Sequence, residues 1–362
     1  GGVQTQQKNY YTQQMGLRFE PIKDWTINID GNMRTHTNNQ HWAVLPVYAY
    51  DANNQPYAIS WDGGASYSPG ASRISESRYT EDYFTTNIYT DYQKTINDHF
   101  FKVMVGFNAE LTRTDNLYGQ GDKIISPEVP TINQTTSEQK VGGGKAENSV
   151  AGFFGRINYN YKDRYMVELN GRYDGSSRFH SDYRWGVFPS FSAGWVLSEE
   201  AFMENADINW LSFLKLRASY GTLGNERITD KDGNALYYPY QAFINFSDVL
   251  FYQNGTVVPE LSAAQWAYAV ENISWETTSS VDIGLDANFF NNRLRFTADY
   301  YNKQTKDMLL ALEIPDYVGF DNPQRNTGKM YTNGYDIELA WNDRIGDLTY
   351  GISANFSDFV SK

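Results

Sequence analysis

The chain contains no cysteine. That removes disulfide frameworks and thiolate metal sites, and it leaves the redox compartment unread. No run of about 18 apolar residues occurs, so no transmembrane helix is expected. Strands that cross a membrane leave only short alternating segments, and this absence does not touch them. Excess positive charge is missing too. The 30 Lys and Arg stand against 43 Asp and Glu, a net charge of -13, so no basic stripe exists to meet phosphates and no nucleic-acid partner is expected. No secretory leader is legible at Gly1, and the chain starts and stops abruptly.

Aromatic residues are abundant. There are 28 Tyr, 21 Phe and 9 Trp among 362 residues. Tyrosine in bulk suits a surface that is half apolar and half wet.

Alternation is the dominant pattern. In "RYMVELNGRYDGSSRF", Tyr165, Val167, Leu169, Gly171 and Tyr173 form one set, and Met166, Glu168, Asn170, Arg172 and Asp174 form the other. One face is greasy and the other polar, the period-two mark of a strand. About twelve such segments recur. They run over 11–20, 24–35, 83–94, 99–113, 150–161, 164–179, 184–197, 213–221, 280–290, 293–307, 333–341 and 348–358.

The connections alternate between short and long. Short ones include 21–23, 95–98, Lys162 with Asp163, Asn291 with Asn292, and 342–347. Long ones cover about 37–82, 114–149, 222–278 and 308–332. Segment 175–183 is only moderate in length, and "SEEAFMENADINWLS" (198–212) reads as a helical turn where a short connection is due. Tight turns at one end and long loops at the other are the layout of an outer-membrane barrel. The expected fold is therefore all-β, an antiparallel transmembrane β-barrel portion spanning 1–362. Its greasy face meets lipid, and its polar face lines a wet lumen with Glu168, Arg172, Lys215, Arg217, Asp282, Asp286, Arg295, Asp299, Asp336 and Glu338. Aromatics near strand ends (Trp25, Tyr161, Tyr165, Trp195, Phe289, Phe290, Trp341) fit an interfacial girdle. The rival is a soluble sheet in which the same aromatics cover a core.

Five segments in order carry a family resemblance: "DGSSRFHSDYRWGVFPSFSAGWVLSEEAFM" (174–203), "LKLRASYGTLGN" (214–225), "WETTSSVDIGLD" (275–286), "DYYNKQTKDMLL" (299–310) and "NTGKMYTNGYDIEL" (326–339). Together they resemble the SusC/RagA family of TonB-dependent outer-membrane transporters of Bacteroidota. The likeness is strong over 150–362 and compositional only over 1–149. Asp336 departs from it, standing where Glu is expected after the Asn-Gly pair. The resemblance implies a barrel of about 22 strands around a plug. It also implies energy from TonB through an N-terminal region, and a SusD-like lipoprotein lid that captures oligosaccharide or peptide at the cell surface. This segment shows no plug-like sequence and too few strands to close such a barrel.

No catalytic constellation is legible. His36 and His41 sit close in sequence, but their spacing matches no ligand set. "GGGK" (142–145) has Gln139 and Ala146 where a phosphate loop needs Gly and Ser or Thr, and it reads as a flexible loop tip. In "SEE" (198–200), nothing orients the carboxylates for acid–base work. No metal and no cofactor are expected, and no enzyme activity. Long loops rich in aromatics and small polar residues favour binding instead. Trp42, Tyr48, Tyr57, Trp61, Tyr67, Trp266 and Tyr268 are the candidate substrate contacts. The function read from these features is TonB-dependent import of oligosaccharide or peptide nutrients across the outer membrane. The alternatives are a passive porin or adhesin barrel, or a soluble glycan-binding β-protein.

Overall fold

A computed structural model describes residues 2–60, 68–206, 208–229, 233, 235–265 and 268–362. Strands dominate. In chain order they are β1 (Gly2–Ile22), β2 (Trp25–Val44), β3 (Val47–Tyr50), β4 (Pro56–Ile59), β5 (Arg73–Ile96), β6 (His99–Asp122), β7 (Lys140–Tyr161) and β8 (Tyr165–Ser176). They continue as β9 (Trp185–Val196), β10 (Leu211–Asn225), β11 (Asn245–Gln253), β12 (Thr256–Ala264), β13 (Glu276–Phe289), β14 (Leu294–Ala311), β15 (Gln324–Ile345) and β16 (Leu348–Ser361). One 12-stranded sheet has the order β1-β2-β5-β6-β7-β8-β9-β10-β13-β14-β15-β16. Each strand in it neighbours the next in sequence once the loop ribbons β3–β4 and β11–β12 are set aside.

All twelve alternating segments are strands of this sheet. Several run further toward the long-loop end than the alternation indicated. β6 extends to Asp122 and β7 begins at Lys140, so the long connection expected over 114–149 shrinks to 123–139. The "GGGK" run is therefore strand, not loop tip. A Cβ at Gly142 would lie 2.5 Å from Tyr118 Cε1, and one at Gly143 would lie 2.6 Å from the Asn116 carbonyl oxygen. The glycines let β6 and its Tyr118 ring come close, and Lys145 Nζ pairs with Asp115 Oδ2 at 2.9 Å. Tertiary fit overrides the low strand propensity of glycine here. The helical turn expected within 198–212 is present at Ala201–Glu204.

Tight connections are set by left-handed residues. Lys162 and Asp163 both have φ of 55°, and Arg164 N donates to the Tyr161 carbonyl at 3.0 Å. That is a type I′ turn, whose twist matches the flanking strands. Asp24, Asn97, Asn291, Asn292 and Gly346 also adopt positive φ at this end of the sheet. Asn and Asp tolerate the conformation better than most residues.

The chain divides into two compact units. The first comprises 1–16, 30–86 and 110–149. In it Asn9 donates to Thr37 at 3.2 Å, Thr35 to Asp82 at 2.7 Å, and Tyr83 to Glu110 at 2.9 Å. The second comprises 17–29, 87–109 and 150–362. Its apolar core joins the loops to β9 of the sheet. Phe179, Phe188, Ile228, Val270, Ile273 and Trp275 are buried together. The Trp275 indole donates to the Arg184 carbonyl at 2.8 Å. Asn326 closes the cluster from β15. Its Nδ2 donates to the carbonyls of Ser274 (2.9 Å) and Asp307 (2.7 Å), and its Oδ1 accepts from Ser274 N (3.0 Å). The segments that carried the family resemblance thus converge on one loop core, with Arg178 Nη1 donating to the Leu236 carbonyl at 2.6 Å and its guanidinium 4.9 Å from the Tyr237 ring.

Candidate functional site: the polar face of the sheet

Cross-strand register sorts side chains onto two faces. On one face of β7 to β15 lie Ile157↔Leu169, Leu169↔Phe191, Tyr220↔Phe191, Tyr220↔Val281, Ile283↔Tyr300 and Tyr300↔Tyr335. Leu169 is 44% exposed, Ile283 57% and Tyr300 56%. Among the described residues no second layer covers these side chains. Aromatics edge the band. Toward the tight turns, Tyr161, Tyr165 and Trp195 stack in sequence with centroids 6.2 and 6.3 Å apart, and Trp210, Phe289, Phe290 and Trp341 form a second run. Toward the loops, Tyr173 stacks on Trp185 at 4.7 Å. Tyr165 and Tyr173 are eight residues apart, about 26 Å of strand. The apolar band of membrane barrels is about 25 Å tall.

Glu200 fixes the turn-side edge. It accepts hydrogen bonds from the Tyr165 hydroxyl and from Trp195 Nε1, the latter at 2.9 Å. The Tyr165 hydroxyl, then the Trp195 indole, hold its carboxyl below the usual carboxylate range. From sequence nothing oriented the "SEE" carboxylates; in the structure Tyr165 and Trp195 orient Glu200.

The opposite face is polar, and all ten residues expected on it lie there. One register row reads Arg217↔Gly284↔Asp299↔Asp336, and the next reads Lys215↔Asp286↔Thr297↔Glu338. Asp282 lies opposite Ser219, Glu168 opposite Ser192, and Arg295 follows on β14 four residues before Asp299. Arg217 is the hub. Its Nε donates to Asp286 Oδ2 at 2.8 Å, and its Nη2 donates to Asp299 Oδ2 at 3.1 Å. Arg172 forks onto Asp174 at 2.9 and 2.8 Å. Glu168 accepts from Asn158 at 2.5 Å and from Asn170 at 2.7 Å. Such bonds hold these charged chains against the wall.

Two open concavities lie on this face. One of about 410 Å³ is lined by Asn158, Glu168, Lys215, Arg217, Ser219 and Asp282. The other, about 750 Å³, is bordered by Phe154, Arg156, Asn170, Arg172, Ser190 and Lys303. They share Glu168, Ser192 and Ser219. Arg156 and Lys303 were missed from sequence, although strand parity puts them on the same face as the residues named.

The aromatic loop candidates do not form one platform. Tyr48 pairs with Ala58 and Tyr57 with Ala49, so the two tyrosines project from opposite faces of the β3–β4 ribbon. Trp42 is half-buried at the end of β2. Tyr268 packs edge-on against Phe320 at 5.7 Å in the second unit. Trp61, Tyr67 and Trp266 lie outside the described residues. His36 and His41, five residues apart on β2, point to opposite faces. His36 stacks on Tyr10 at 4.4 Å and His41 Nδ1 meets Glu76 at 2.6 Å, so they share no ligand site.

A long antiparallel meander with an uncovered apolar band, aromatic edges and a polar opposite face defines the wall of a membrane β-barrel. The chain belongs to the family of TonB-dependent receptors: the family described as "TonB dependent receptor-like, beta-barrel" matches residues 2–361. The match reaches well into 1–149, where sequence reading found compositional likeness only. The chain is 31% identical over 352 residues to the TonB-dependent receptor SusC of Bacteroides thetaiotaomicron, covering 93% of this chain and 33% of that protein. It is 37% identical over 221 residues to TonB-dependent receptor P26 of Formosa agariphila, covering 60% of this chain and 20% of that protein. The chain thus spans a fifth to a third of the length of these curated relatives. Among solved structures, the RagAB peptide importer in its closed-closed state superposes with a TM-score of 0.83 at 23% identity, covering 99% of this chain and 37% of that chain. The chain is thus similar in sequence to SusC and in fold to RagAB, in keeping with the SusC/RagA resemblance of its motifs.

Proposed function

We propose that the protein imports oligosaccharide or peptide nutrients across the outer membrane, driven by TonB, with a SusD-like surface lipoprotein as lid. The observation that carries the reading is the two-faced wall. An apolar band with aromatic edges suits lipid, while Arg217, Asp286, Asp299 and the two concavities suit a water-filled lumen. The fold likeness to an importer and the kinship with SusC support it. The work is gated passage, not a reaction. Residues 1–362 serve as barrel wall and outer loops, with Glu168, Arg172, Lys215, Arg217, Asp282, Asp286, Arg295, Asp299, Asp336 and Glu338 lining the path. Exposed Tyr48, Tyr57 and Tyr268 offer contact to cargo or lid. Cells lacking TonB should lose uptake of labelled cargo while retaining the protein in the outer membrane, and a surface lipoprotein should co-purify with it. Undiminished uptake without TonB would point to a passive pore.

A further inference from the structure

An open concavity of about 690 Å³ lies in the first unit, within the range of small-ligand sites. Its walls include Tyr48 from β3, the Gly70 turn, Arg73, Asp122, Lys123 and Ile125. Tyr48 is 58% exposed and offers a flat ring. Gly70 has φ of 76°, and a Cβ there would sit 3.4 Å from the Ala58 side chain, which shares the Tyr48 face of the ribbon.

Lys123 is held in an unusual way. It is a non-glycine residue with φ of 59°. Its N–H donates to the Ser72 carbonyl at 3.0 Å, and its carbonyl accepts from Thr136 N at 3.1 Å and from Thr136 Oγ1 at 3.3 Å. Left-handed conformations persist where surroundings over-determine them, and they cluster at ligand clamps. The adjacent carboxylate is hydrogen-bonded to Arg73 rather than to Lys123. Asp122 is gripped by Arg73, Nε to Oδ1 at 2.6 Å and Nη2 to Oδ2 at 3.1 Å. Lys123 forms no ion pair or side-chain hydrogen bond among the described residues, and it lines the same concavity as Tyr48.

We infer that this concavity binds a carboxylate-bearing end of the cargo, with the carboxylate on Lys123 and the adjoining residue or ring against Tyr48. The inference deepens the import reading and rests on it. One cation matches one monovalent anion. A phosphate or sulfate site would draw on backbone amides or a free guanidinium. Here the neighbouring amides are spent: Lys123 N on Ser72 O, Ile124 N on Ser72 Oγ at 2.8 Å, and Ile125 N on the Gln134 carbonyl at 2.7 Å. A peptide C-terminus and a uronic acid residue both present this chemistry.

The test is direct binding to the full-length protein in detergent, a readout independent of TonB. The probes are a short peptide as free acid and as amide, and a uronate oligosaccharide beside its neutral counterpart. At least one acidic probe should bind about tenfold tighter than its uncharged twin. K123Q should remove that difference, K123R should retain it, and Tyr48→Ala should weaken both members of the favoured pair. A preference for peptide acid alone marks the source as a peptide terminus, and a preference for uronate alone marks it as a sugar acid; either supports the site. Equal binding of charged and uncharged probes, or a preference that survives K123Q, overturns it. Undiminished uptake in cells lacking TonB, with acid discrimination intact, would instead count against the import reading while leaving the site standing.

Discussion

Arg217 on β10 reaches Asp299 on β14 across an intervening strand, because the residue between them on β13 is Gly284. A Cβ at 284 would lie 2.7 Å from Arg217 Cζ and would also crowd Asp299 Oδ1. Glycine there is a requirement of the bridge.

Gly284→Val should therefore sever Arg217 from Asp299 and leave a partly buried carboxylate without its cation. The expected loss is about 2 kcal/mol, the scale of a charge-assisted hydrogen bond. It would appear as a lower temperature for the heat-induced mobility shift of the unboiled protein on a gel. Gly284→Ala should show a smaller loss of the same sign, and an unchanged shift for both variants would contradict the bridge.

The assignment of the two faces predicts unequal tolerance for charge. Leu169 lies midway between Tyr165 and Tyr173 on the apolar face. Leu169→Arg should cost about 2–4 kcal/mol of folding into bilayers. Ser192→Arg, on the polar face, should fold nearly as well as the parent. Equal folding yields from the two variants would mean that the apolar band does not meet lipid.

The Arg73–Asp122 pair predicts a pH response. The Arg73 guanidinium holds the Asp122 carboxyl below the usual carboxylate range. A depressed folded value means that the pair's contribution is complete above the unfolded carboxylate value, about 3.9. It is lost as pH falls through the lower folded value. Amide exchange at Lys123 and Ile125 should stay protected down to about pH 4 and accelerate below it, beyond the intrinsic rate. Asp122→Asn should flatten that profile.

The loop core should answer to truncation. Trp275 packs against Phe179 and Phe188, with centroids at 5.4 and 5.3 Å. Trp275→Ala should cost about 3–5 kcal/mol locally, seen as faster proteolysis within 226–275. The sheet should remain intact, so the gel mobility shift should hardly move.

Strand number and facing were legible because parity is a local property. Tyr165, Leu169 and Tyr173 declare their side of β8 without knowledge of any neighbour. Strand extent was less legible. Gly142 and Gly143 read as loop because the Tyr118 ring and Asn116 carbonyl that make use of their bareness lie more than twenty residues away in sequence. The partners of Arg217 were hidden for the same reason, since Asp286 and Asp299 come 69 and 82 residues later. Aromatic content named Tyr48 and Tyr57 alike. Only the ribbon register of β3 with β4 shows that they face opposite ways.

The left-handed turn at Lys162 and Asp163 bears on the order of assembly. Closing residues 226–275 asks for a connection some four doublings longer than that turn, roughly 2.5 kcal/mol more in chain entropy. Ribbons pinned at their tight ends can zip early and upward, as β7 with β8 and β13 with β14, while the long excursions seat last. Slowing that final step, for instance by loosening the Trp275 cluster, would trap a species with its strands paired and its outer surface still unformed.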